Sequence, residues 1–423
     1  MQSLAARSCT RHRFSVSGLG WKPVAKAGSR WAPLGVLGLL AVLMVTAAPA
    51  AYAQTETVLH SFNADGTDGA NPYSGLAIDK EGNLYGTTLY GSSFIAPNAG
   101  TVFKVTASGF ETVLYNFGGA PDGSEPYYAG VVRDAAGNLY GTTLRGGTND
   151  LGTVYKLAPD GTESVLYSFS PASFDGYYPF GGVILGPKHT LYGTTSTGGT
   201  AGVGTVYKVT RGHQGVETET VLYNFAGQAD GCYPRQESLV LAKDGTLYGT
   251  TNLCGPFNGD YGTVFKVAPD GKETVLHSFN ADGVDGVNPY GGLIFDKAGN
   301  LYGTTYGGGK FGYGTVFKLS PSGGETVLHS FNADGTDGIN PYGGMVLGKK
   351  GNLYGTTYQG GTNGYGTVFK LTPSGTETVL HSFAKTDGAH PYAGVVLDKN
   401  GALYGTTVDG GDFGYGTVFK VVP

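Results

Sequence analysis

The sequence lacks the patterns of several protein classes. No stretch after residue 55 has a long 3.6-residue apolar period, so almost no helix is expected. Only 14% of the 423 residues are charged, and the 75 glycines have no three-residue period, which excludes disordered and collagen-like compositions. Tyr, Phe, Val and Thr are instead plentiful between clusters of Gly, Asn, Asp and Pro, which is typical of a strand-rich globular protein.

Motifs that carry familiar chemistry are also missing. The sequence contains no nucleophile elbow, no zinc-binding HExxH, no phosphate-cradling glycine motif and no carboxylate pair outside its repeats. We therefore predict no catalytic residue, no cofactor and no metal ligand outside the repeats.

The first 53 residues differ in composition from the rest. Six Lys and Arg residues precede an apolar run over residues 32–48, and Ala51-Tyr52-Ala53 follows it. This layout predicts a secretory signal peptide over residues 1–53, cleaved after Ala53. An uncleaved anchor is the alternative, because the run approaches the roughly 20 residues that a membrane span needs.

Charge and cysteine content limit the partners and the compartment. The formal net charge is −5, and the leader contains no acidic residue, so the mature chain is more acidic still. An acidic surface argues against nucleic acid and anionic membranes as partners. We expect a secreted or periplasmic monomer, in which Cys232 and Cys254 form a disulfide because the compartment is oxidising.

Four short words recur seven times in the same order over residues 56–421. GTVFK or GTVYK first appears at Gly100, ETVLHSF and its variants at Glu56, and DGxxPY and its variants at Asp68. The fourth word, LYGTT, begins at Leu84, Leu139, Leu191, Leu247, Leu301, Leu353 and Leu403.

Each word marks a strand or the entrance to one. Apolar runs alternate with turns such as Ala268-Pro269-Asp270-Gly271, in which Pro and Gly supply the conformations that a turn needs. Each unit thus holds four antiparallel strands, named a, b, c and d in chain order. Seven such units predict an all-β fold, a single seven-bladed β-propeller over residues 54–423.

The phase of the repeat predicts how the ring closes. The repeats open with a lone d strand at residues 56–62 and end near Val421 on a c strand that lacks its d partner. Pairing of the two would complete blade seven and cover both sheet edges. An open solenoid is the alternative, but it would need polar capping repeats at its ends.

The recurring words resemble the GloVer tandem repeat of Gloeobacter and Verrucomicrobia, whose unit looks like LYGTTxxGGxxxxGTVFKL followed by a turn and a d strand. The resemblance covers residues 56–421. It implies an exported bacterial repeat protein of unassigned activity. Such proteins often carry a C-terminal surface anchor, but Pro423 follows the last strand at once, so we expect no anchor here.

Residues that recur in every blade are interpreted as structural, because blade geometry repeats whereas a site usually occurs once. The Tyr of each LYGTT is expected to pack between blades with a hydrogen-bonded hydroxyl. Each Lys of GTVFK is expected to pair with a Glu of strand d, with an anion site as the alternative. Four strand-d His residues exchange with Tyr in other blades, which also indicates packing: His60, His277, His329 and His381.

The Asp of each DGxxPY word lies in the loop between two blades. We expect its carboxylate to cap its own turn through backbone N–H groups. A Ca²⁺-binding rim of seven carboxylates is the alternative.

Blade four departs from the pattern. It reads CYPRQESLVL where the other inner strands open with PYGG or a close variant, so Arg235 and Glu237 stand among small residues. Buried charge is costly unless it is paired, so these residues form either an internal ion pair or a ligand contact at the channel mouth. A Cys232–Cys254 disulfide would pin the adjoining loop. The candidate ligand-binding residues are therefore Arg235, Glu237 and Asp230.

These observations favour an exported, non-enzymatic binding or scaffold propeller. Its partner would be an extracellular saccharide, cell-surface component or protein, a ligand class suggested by fold analogy alone. The alternative is a carbohydrate-active lyase or hydrolase with its site near blade four. A purely structural envelope repeat is the third hypothesis.

Overall fold

The four words of each repeat fold into one four-stranded antiparallel sheet, and seven such sheets are present in this computed structural model. The structure describes residues 55–65, 67–91, 99–128, 130–171, 175–212, 216–235, 238–256 and 261–423. The predicted signal peptide, residues 1–53, lies outside the described residues and stays a prediction. The predicted seven-bladed β-propeller is confirmed.

Within each sheet the strands run in the order a, b, c, d. The a strands are Ala77–Ile78, Val132–Arg133, Ile184–Leu185, Val240–Leu241, Ile294–Phe295, Val346–Leu347 and Val396–Leu397. The b strands are Leu84–Thr88, Leu139–Thr143, Leu191–Thr195, Leu247–Thr251, Leu301–Thr305, Leu353–Thr357 and Leu403–Thr407. The c strands are Thr101–Val105, Thr153–Leu157, Thr205–Arg211, Thr263–Val267, Thr315–Leu319, Thr367–Leu371 and Thr417–Val422. The d strands are Glu111–Asn116, Glu163–Ser168, Glu217–Asn224, Glu273–Ser278, Glu325–Ser330, Glu377–Ser382 and, in blade seven, Thr55–Ser61.

Short additional elements lie in the loops. Four two-stranded ladders join Gly123–Ser124 to Arg145–Gly146, Gly176–Tyr177 to Thr197–Gly198, Gly286–Val287 to Gly307–Gly308, and Gly338–Ile339 to Gln359–Gly360. Helical structure in the described ranges consists of 3-10 turns at Pro187–His189, Gln228–Asp230 and Lys349–Gly351 and of a 3-10 residue at Pro171. The described part of the chain accordingly holds no helix with the length and apolarity to cross a membrane.

The ring closes through the first and last strands. Thr55–Ser61, here called the closing strand, pairs antiparallel with Thr417–Val422, and Glu56 lies opposite Val421. A second contact crosses the same seam, because the Thr406 hydroxyl donates to the Ser74 carbonyl at 2.9 Å. The predicted closure is confirmed, and an open solenoid is excluded.

Aromatic pairs fill the space between neighbouring blades. At the seam the Phe62 ring meets the Phe103 ring edge to face, with centroids 5.1 Å apart, and both side chains are fully buried. Equivalent pairs occupy the other six junctions: Phe117–Tyr155, Phe169–Tyr207, Phe225–Phe265, Phe279–Phe317, Phe331–Phe369 and Phe383–Phe419. Burial of large rings in this geometry makes the junctions a principal source of stability.

The strand-b tyrosines behave largely as expected. The hydroxyls of Tyr85, Tyr140, Tyr302 and Tyr404 donate to an Asp of the a–b hairpin of their own blade, at 3.0 to 3.3 Å. The packing interpretation with a hydrogen-bonded hydroxyl is confirmed in these four blades.

The predicted Lys–Glu pairs are wrong. Lys104 lies opposite Thr112 of strand d and Tyr85 of strand b, whereas Glu111 lies opposite Val105. Among the described residues no ion pair joins these Lys and Glu side chains. The Lys104 ammonium lies instead over the Tyr85 ring, 5.8 Å from its centroid.

Candidate functional site at the channel mouth

One residue from each blade lies at the same mouth of the central channel. Each directly follows the proline of the DGxxPY word, and the seven are Tyr73, Tyr127, Phe180, Arg235, Tyr290, Tyr342 and Tyr392. Six are aromatic and one is cationic.

A left-handed residue before each proline places this side chain. Asn340 has φ of 58°, its N–H donates to the Tyr313 carbonyl at 2.9 Å, and its carbonyl accepts from Tyr358 N–H at 3.1 Å. It therefore links a loop of blade five to strand b of blade six and turns the chain inward at Pro341. The same conformation occurs at Asn71, Glu125, Tyr178, Tyr233, Asn288 and His390. Non-glycine residues adopt this region uncommonly, Asn more readily than most, and hydrogen bonds on both sides hold Asn340 there.

The proline itself packs against the preceding blade. A Cβ built on Gly314 would lie 2.8 Å from Pro341 Cδ and 2.4 Å from the Thr305 carbonyl, and Gly314 has φ of 102°. Glycine is required here by both the close approach and the positive φ. This contact explains why GTVFK begins with Gly in every blade.

Six of these seven side chains, all except Tyr127, line a cavity of about 210 Å³ together with Tyr128. Its lining consists of Tyr73, Tyr128, Phe180, Arg235, Tyr290, Tyr342, Gly343, Tyr392 and Ala393. The Tyr342 and Tyr392 rings stack with centroids 4.1 Å apart, and Tyr290 lies 5.0 Å from Tyr342. The cavity is smaller than the roughly 300–1,000 Å³ of drug-sized pockets, so it suits one small ring rather than an extended ligand.

Tyr128 reaches across the channel. Blade two reads PYYAG, with one residue more than PYSG or PYGG, and this adds a second tyrosine. The Tyr128 ring stacks on Tyr392 of blade seven at 4.7 Å and on Phe180 of blade three at 5.5 Å. The Tyr128 ring therefore forms part of the cavity lining and connects blade two to blade seven, which is not its neighbour.

Arg235 is the only cation among the described residues of the lining. Its guanidinium carbon lies 4.9 Å from the Phe180 ring centroid and 5.5 Å from that of Tyr233. Its Nε is buried and has no hydrogen-bond partner within the described residues. A planar guanidinium fixed on aromatic faces is prepared to bind a planar anion such as a carboxylate.

Asn252 adds a second unpaired donor to blade four. It follows strand b directly, the position that Tyr306 and Tyr358 hold in blades five and six, and the Tyr306 ring lies 4.6 Å from the Tyr342 ring of the cavity. Asn252 is only 2% exposed, and its side-chain Nδ2 has no partner in the described structure. Blade four thus carries a hydrogen-bond donor at the position after proline, which is aromatic in the other six blades, and a second donor at the position after strand b, which is Tyr in blades five and six.

Three of the lining tyrosines, Tyr128, Tyr342 and Tyr392, are neutral at ordinary pH. Burial raises the pKa of Tyr128, Tyr342 and Tyr392 well above the usual range, and neighbouring tyrosines raise it further. No carboxylate or His lines the cavity among the described residues. The described lining residues can stack on a ligand, donate hydrogen bonds to it and attract negative charge.

The structure separates Arg235 from Asp230, two of the three predicted ligand-binding residues. Arg235 lines the cavity, whereas Asp230 accepts hydrogen bonds from Tyr223 Oη and Ala226 N–H, both at 2.8 Å, at the junction of blades three and four. Glu237 lies outside the described residues. The predicted disulfide is confirmed, with the Cα atoms of Cys232 and Cys254 5.4 Å apart.

The Asp residues of the DGxxPY words cap their own loops, as expected. Asp122, for example, accepts from the Gly118 N–H at 2.8 Å, and five other blades repeat this bond. Each Asp also accepts a hydrogen bond from the strand-d His or Tyr beside it, as in the 2.9 Å bond from Tyr115 to Asp122.

The aromatic lining was missed by sequence reasoning. Tyr after Pro recurs in most blades, and recurrence was interpreted as structural. The predicted closed ring of blades could have revealed this lining, because side chains at the same position in seven blades of a closed propeller converge on one axis.

The fold and this cavity define a class of protein, a closed seven-bladed propeller with an aromatic channel mouth. The chain belongs to the Gloeobacter/Verrucomicrobia repeat family, which matches residues 49–259 and 236–423. The family resemblance seen in the sequence is thus confirmed.

Two solved structures of other proteins are similar to this chain, and only the first is similar enough to show a shared fold. The extracellular domain assigned to a hybrid two component system of B. thetaiotaomicron is 14% identical, with a TM-score of 0.54 over 88% of this chain and 41% of that one. A gluconolactonase from Xanthomonas campestris is 16% identical, with a TM-score of 0.40 over 68% of this chain and 82% of that one. At these identities the likeness shows the fold alone. No curated protein matches the sequence.

Proposed function

We propose that this protein is an extracytoplasmic binding propeller whose channel mouth holds a sugar ring that carries a carboxylate, such as a uronic acid residue of a polysaccharide. The observation that carries the proposal is the convergence of six aromatic side chains and one arginine, Arg235, on a single cavity. Aromatic faces accept the apolar side of a pyranose ring, and Arg235 supplies a bidentate partner for its carboxylate.

The compartment is part of the proposal. A disulfide joins Cys232 to Cys254, and such bonds persist in oxidising environments. An extracytoplasmic protein meets polysaccharides of the cell surface and its surroundings, which agrees with the ligand class.

The test is calorimetric titration of the full chain with trigalacturonate and, for comparison, neutral maltotriose. Arg235→Gln is expected to weaken trigalacturonate binding about 10- to 100-fold, because a hydrogen bond to a charged group contributes about 1.5–3 kcal/mol. Maltotriose, which lacks the carboxylate, should bind more weakly and should not respond to the substitution.

Arg145→Gln is the matched control. The Arg145 guanidinium carbon also lies over a tyrosine ring, 4.8 Å from Tyr178, but Arg145 does not line the cavity. Its substitution should leave binding unchanged. Equal affinity for both trisaccharides, or equal losses in the two variants, would contradict the acidic-sugar assignment.

Analysis of the products formed in the same samples separates binding from catalysis. A lyase or hydrolase would need an acid or base beside Arg235, and Glu237 is the candidate that the sequence offers. Release of new reducing ends or unsaturated products, lost in Glu237→Gln, would favour the enzyme. Binding without turnover favours the proposal.

A further inference from the structure

Each junction between neighbouring blades holds two carboxylates beside one His or Tyr. The Asp of the interblade loop accepts a hydrogen bond from the strand-d His or Tyr before it, and a Glu near the start of the next strand d lies alongside. The seven groups are His60–Asp68–Glu111, Tyr115–Asp122–Glu163, Tyr167–Asp175–Glu219, Tyr223–Asp230–Glu273, His277–Asp285–Glu325, His329–Asp337–Glu377 and His381–Asp387–Glu56.

Two of these groups are compact enough to surround one ion. In His60–Asp68–Glu111, one donor atom from each side chain lies within 4.8 Å of the others, and the same holds for Glu56–His381–Asp387. These two are the only such groups with metal-ligand atoms in the described ranges. Both contain an imidazole.

Both groups flank the closing strand. Glu56 and His60 lie on Thr55–Ser61 itself. Glu56 faces His381 and Asp387 at the junction with blade six, and His60 faces Asp68 and Glu111 at the junction with blade one. The closing strand is strand d of blade seven, but it lies at the opposite end of the sequence from the other three strands of that blade. This strand contributes one or more residues to each of the two clusters.

Three buried carboxylate oxygens in these clusters lack partners, whereas both Asp387 oxygens are hydrogen-bonded, one to His381 and one to the Ala384 N–H. Asp68 is only 4% exposed, its Oδ2 lies 2.8 Å from His60 Nε2, and its Oδ1 has no hydrogen-bond partner. Glu111 Oε1 and Glu56 Oε1 are likewise buried and unpartnered. No Lys or Arg forms an ion pair with any of these carboxylates in the described residues. An unpartnered buried carboxylate oxygen is costly unless the carboxyl is protonated or a cation is bound, and in these two clusters the three ligand atoms are close enough together for one cation to contact all of them.

The donor set selects the kind of cation. One imidazole nitrogen and two carboxylates provide three protein ligands, the number found at open tetrahedral zinc sites in which water occupies the fourth position. Ca²⁺ takes six to eight oxygen ligands, more than either cluster offers. Imidazole also favours transition metals over Ca²⁺ and Mg²⁺.

We propose that His60–Asp68–Glu111 and Glu56–His381–Asp387 each bind one divalent transition-metal ion such as Zn²⁺, and that the two ions clamp the closing strand to blades one and six. A metal bound only in the closed ring stabilises closure by mass action. The proposal is independent of the saccharide site, which lies at the channel mouth.

The experiment compares two His-to-Tyr variants of the full chain. Tyr occupies the same strand position in blades one to three, as Tyr115, Tyr167 and Tyr223, so the swap recreates a junction that this fold already contains. One variant is His60→Tyr/His381→Tyr. The matched control is His277→Tyr/His329→Tyr, in which the altered junctions lie away from the closing strand. Each protein is treated with EDTA, dialysed and titrated with ZnCl₂ by calorimetry, and its Tm is recorded with and without Zn²⁺.

The parent and the control are expected to bind two more equivalents of Zn²⁺ than His60→Tyr/His381→Tyr, and His60→Tyr alone should lose one. Zn²⁺ should raise the Tm of the parent and the control only. Equal Tm values in EDTA establish that the variants fold. No Zn²⁺ binding by the parent at millimolar Zn²⁺, or the same stoichiometry in the two double variants, would overturn the sites. Binding without a rise in Tm would overturn the clamp.

Discussion

At the scale of single residues, the loop between blades depends on glycine where two segments touch. Gly338 of the DGxxPY word lies against strand b of its own blade, and a Cβ there would lie 2.2 Å from Thr357 Oγ1. Thr357 is fully buried and hydrogen-bonded to Thr367 at 2.9 Å, so it cannot move aside. Gly335, three residues earlier, has φ of 87° but no atom within 4 Å of its Cβ position.

Substitution of these two glycines by alanine is expected to lower the free energy of unfolding by different amounts. Gly338→Ala should lower the free energy of unfolding by about 3 kcal/mol, since it overpacks a rigid contact. Gly335→Ala should cost only about 1 kcal/mol, the strain of a positive φ. Guanidinium unfolding of both variants measures the difference. A larger loss in Gly335→Ala would contradict the packing account.

At the scale of elements, strand d presents a half-buried Glu to the junction between blades. Burial raises the pKa of Glu163 to about 7, and the nearby Asp122 carboxylate raises it as well. Its Oε1 is buried without a partner. The protonated form of this side chain is therefore favoured by folding.

Because folding raises the pKa of Glu163, its contribution to stability decreases as the pH rises. A carboxyl whose pKa is raised on folding stabilises the protein below its unfolded pKa, near 4.5, and this contribution is lost as the pH rises through about 7. Glu163→Gln removes the titration. The Tm of the variant minus that of the parent should therefore become more positive between pH 5 and pH 8, measured in EDTA by calorimetry.

A stronger effect is expected when Glu163, Glu219 and Glu273 are all changed to Gln. These three residues occupy the junctions that carry Tyr, and burial raises the pKa of each to about 7. If the Tm difference does not change with pH, or falls, the carboxyls are ionised in the folded protein and the account is wrong.

At the scale of the whole molecule, sequence alone was sufficient for the architecture. Seven copies of four words fixed the number of blades, and the unpaired strands around Val58 and Val418 predicted the closure that the paired strands now show. The cysteine positions predicted the disulfide because the Leu241–Leu247 pairing of the a–b hairpin brings both to one end.

Register between strands c and d was not predictable in the same way. The turn closes with Thr106 N–H donating to the Phe110 carbonyl at 2.9 Å, which offsets Lys104 from Glu111 by one residue. One residue of slip moves a side chain to the opposite face of a sheet. Glu111 therefore faces the neighbouring blade rather than Lys104.

The site was only partly predictable. Arg235 stood out because it broke a repeat, whereas Tyr342 and Tyr392 were hidden because they obeyed it. Their functional meaning depends on closure, which brings residues of separate blades, about 50 positions apart in the sequence, into contact around one axis. The sequence shows Tyr128 as an extra residue in blade two, but its contact with Tyr392 across the channel depends on the closure of the seven blades into a ring.

The most direct test of this account is a crystal structure of the full chain soaked with trigalacturonate. The proposed function predicts one sugar ring in the cavity, stacked on the tyrosines around Tyr342 and Tyr392, with its carboxylate within hydrogen-bond distance of Arg235. A trisaccharide bound elsewhere on the propeller, or a carboxylate turned away from Arg235, would contradict it.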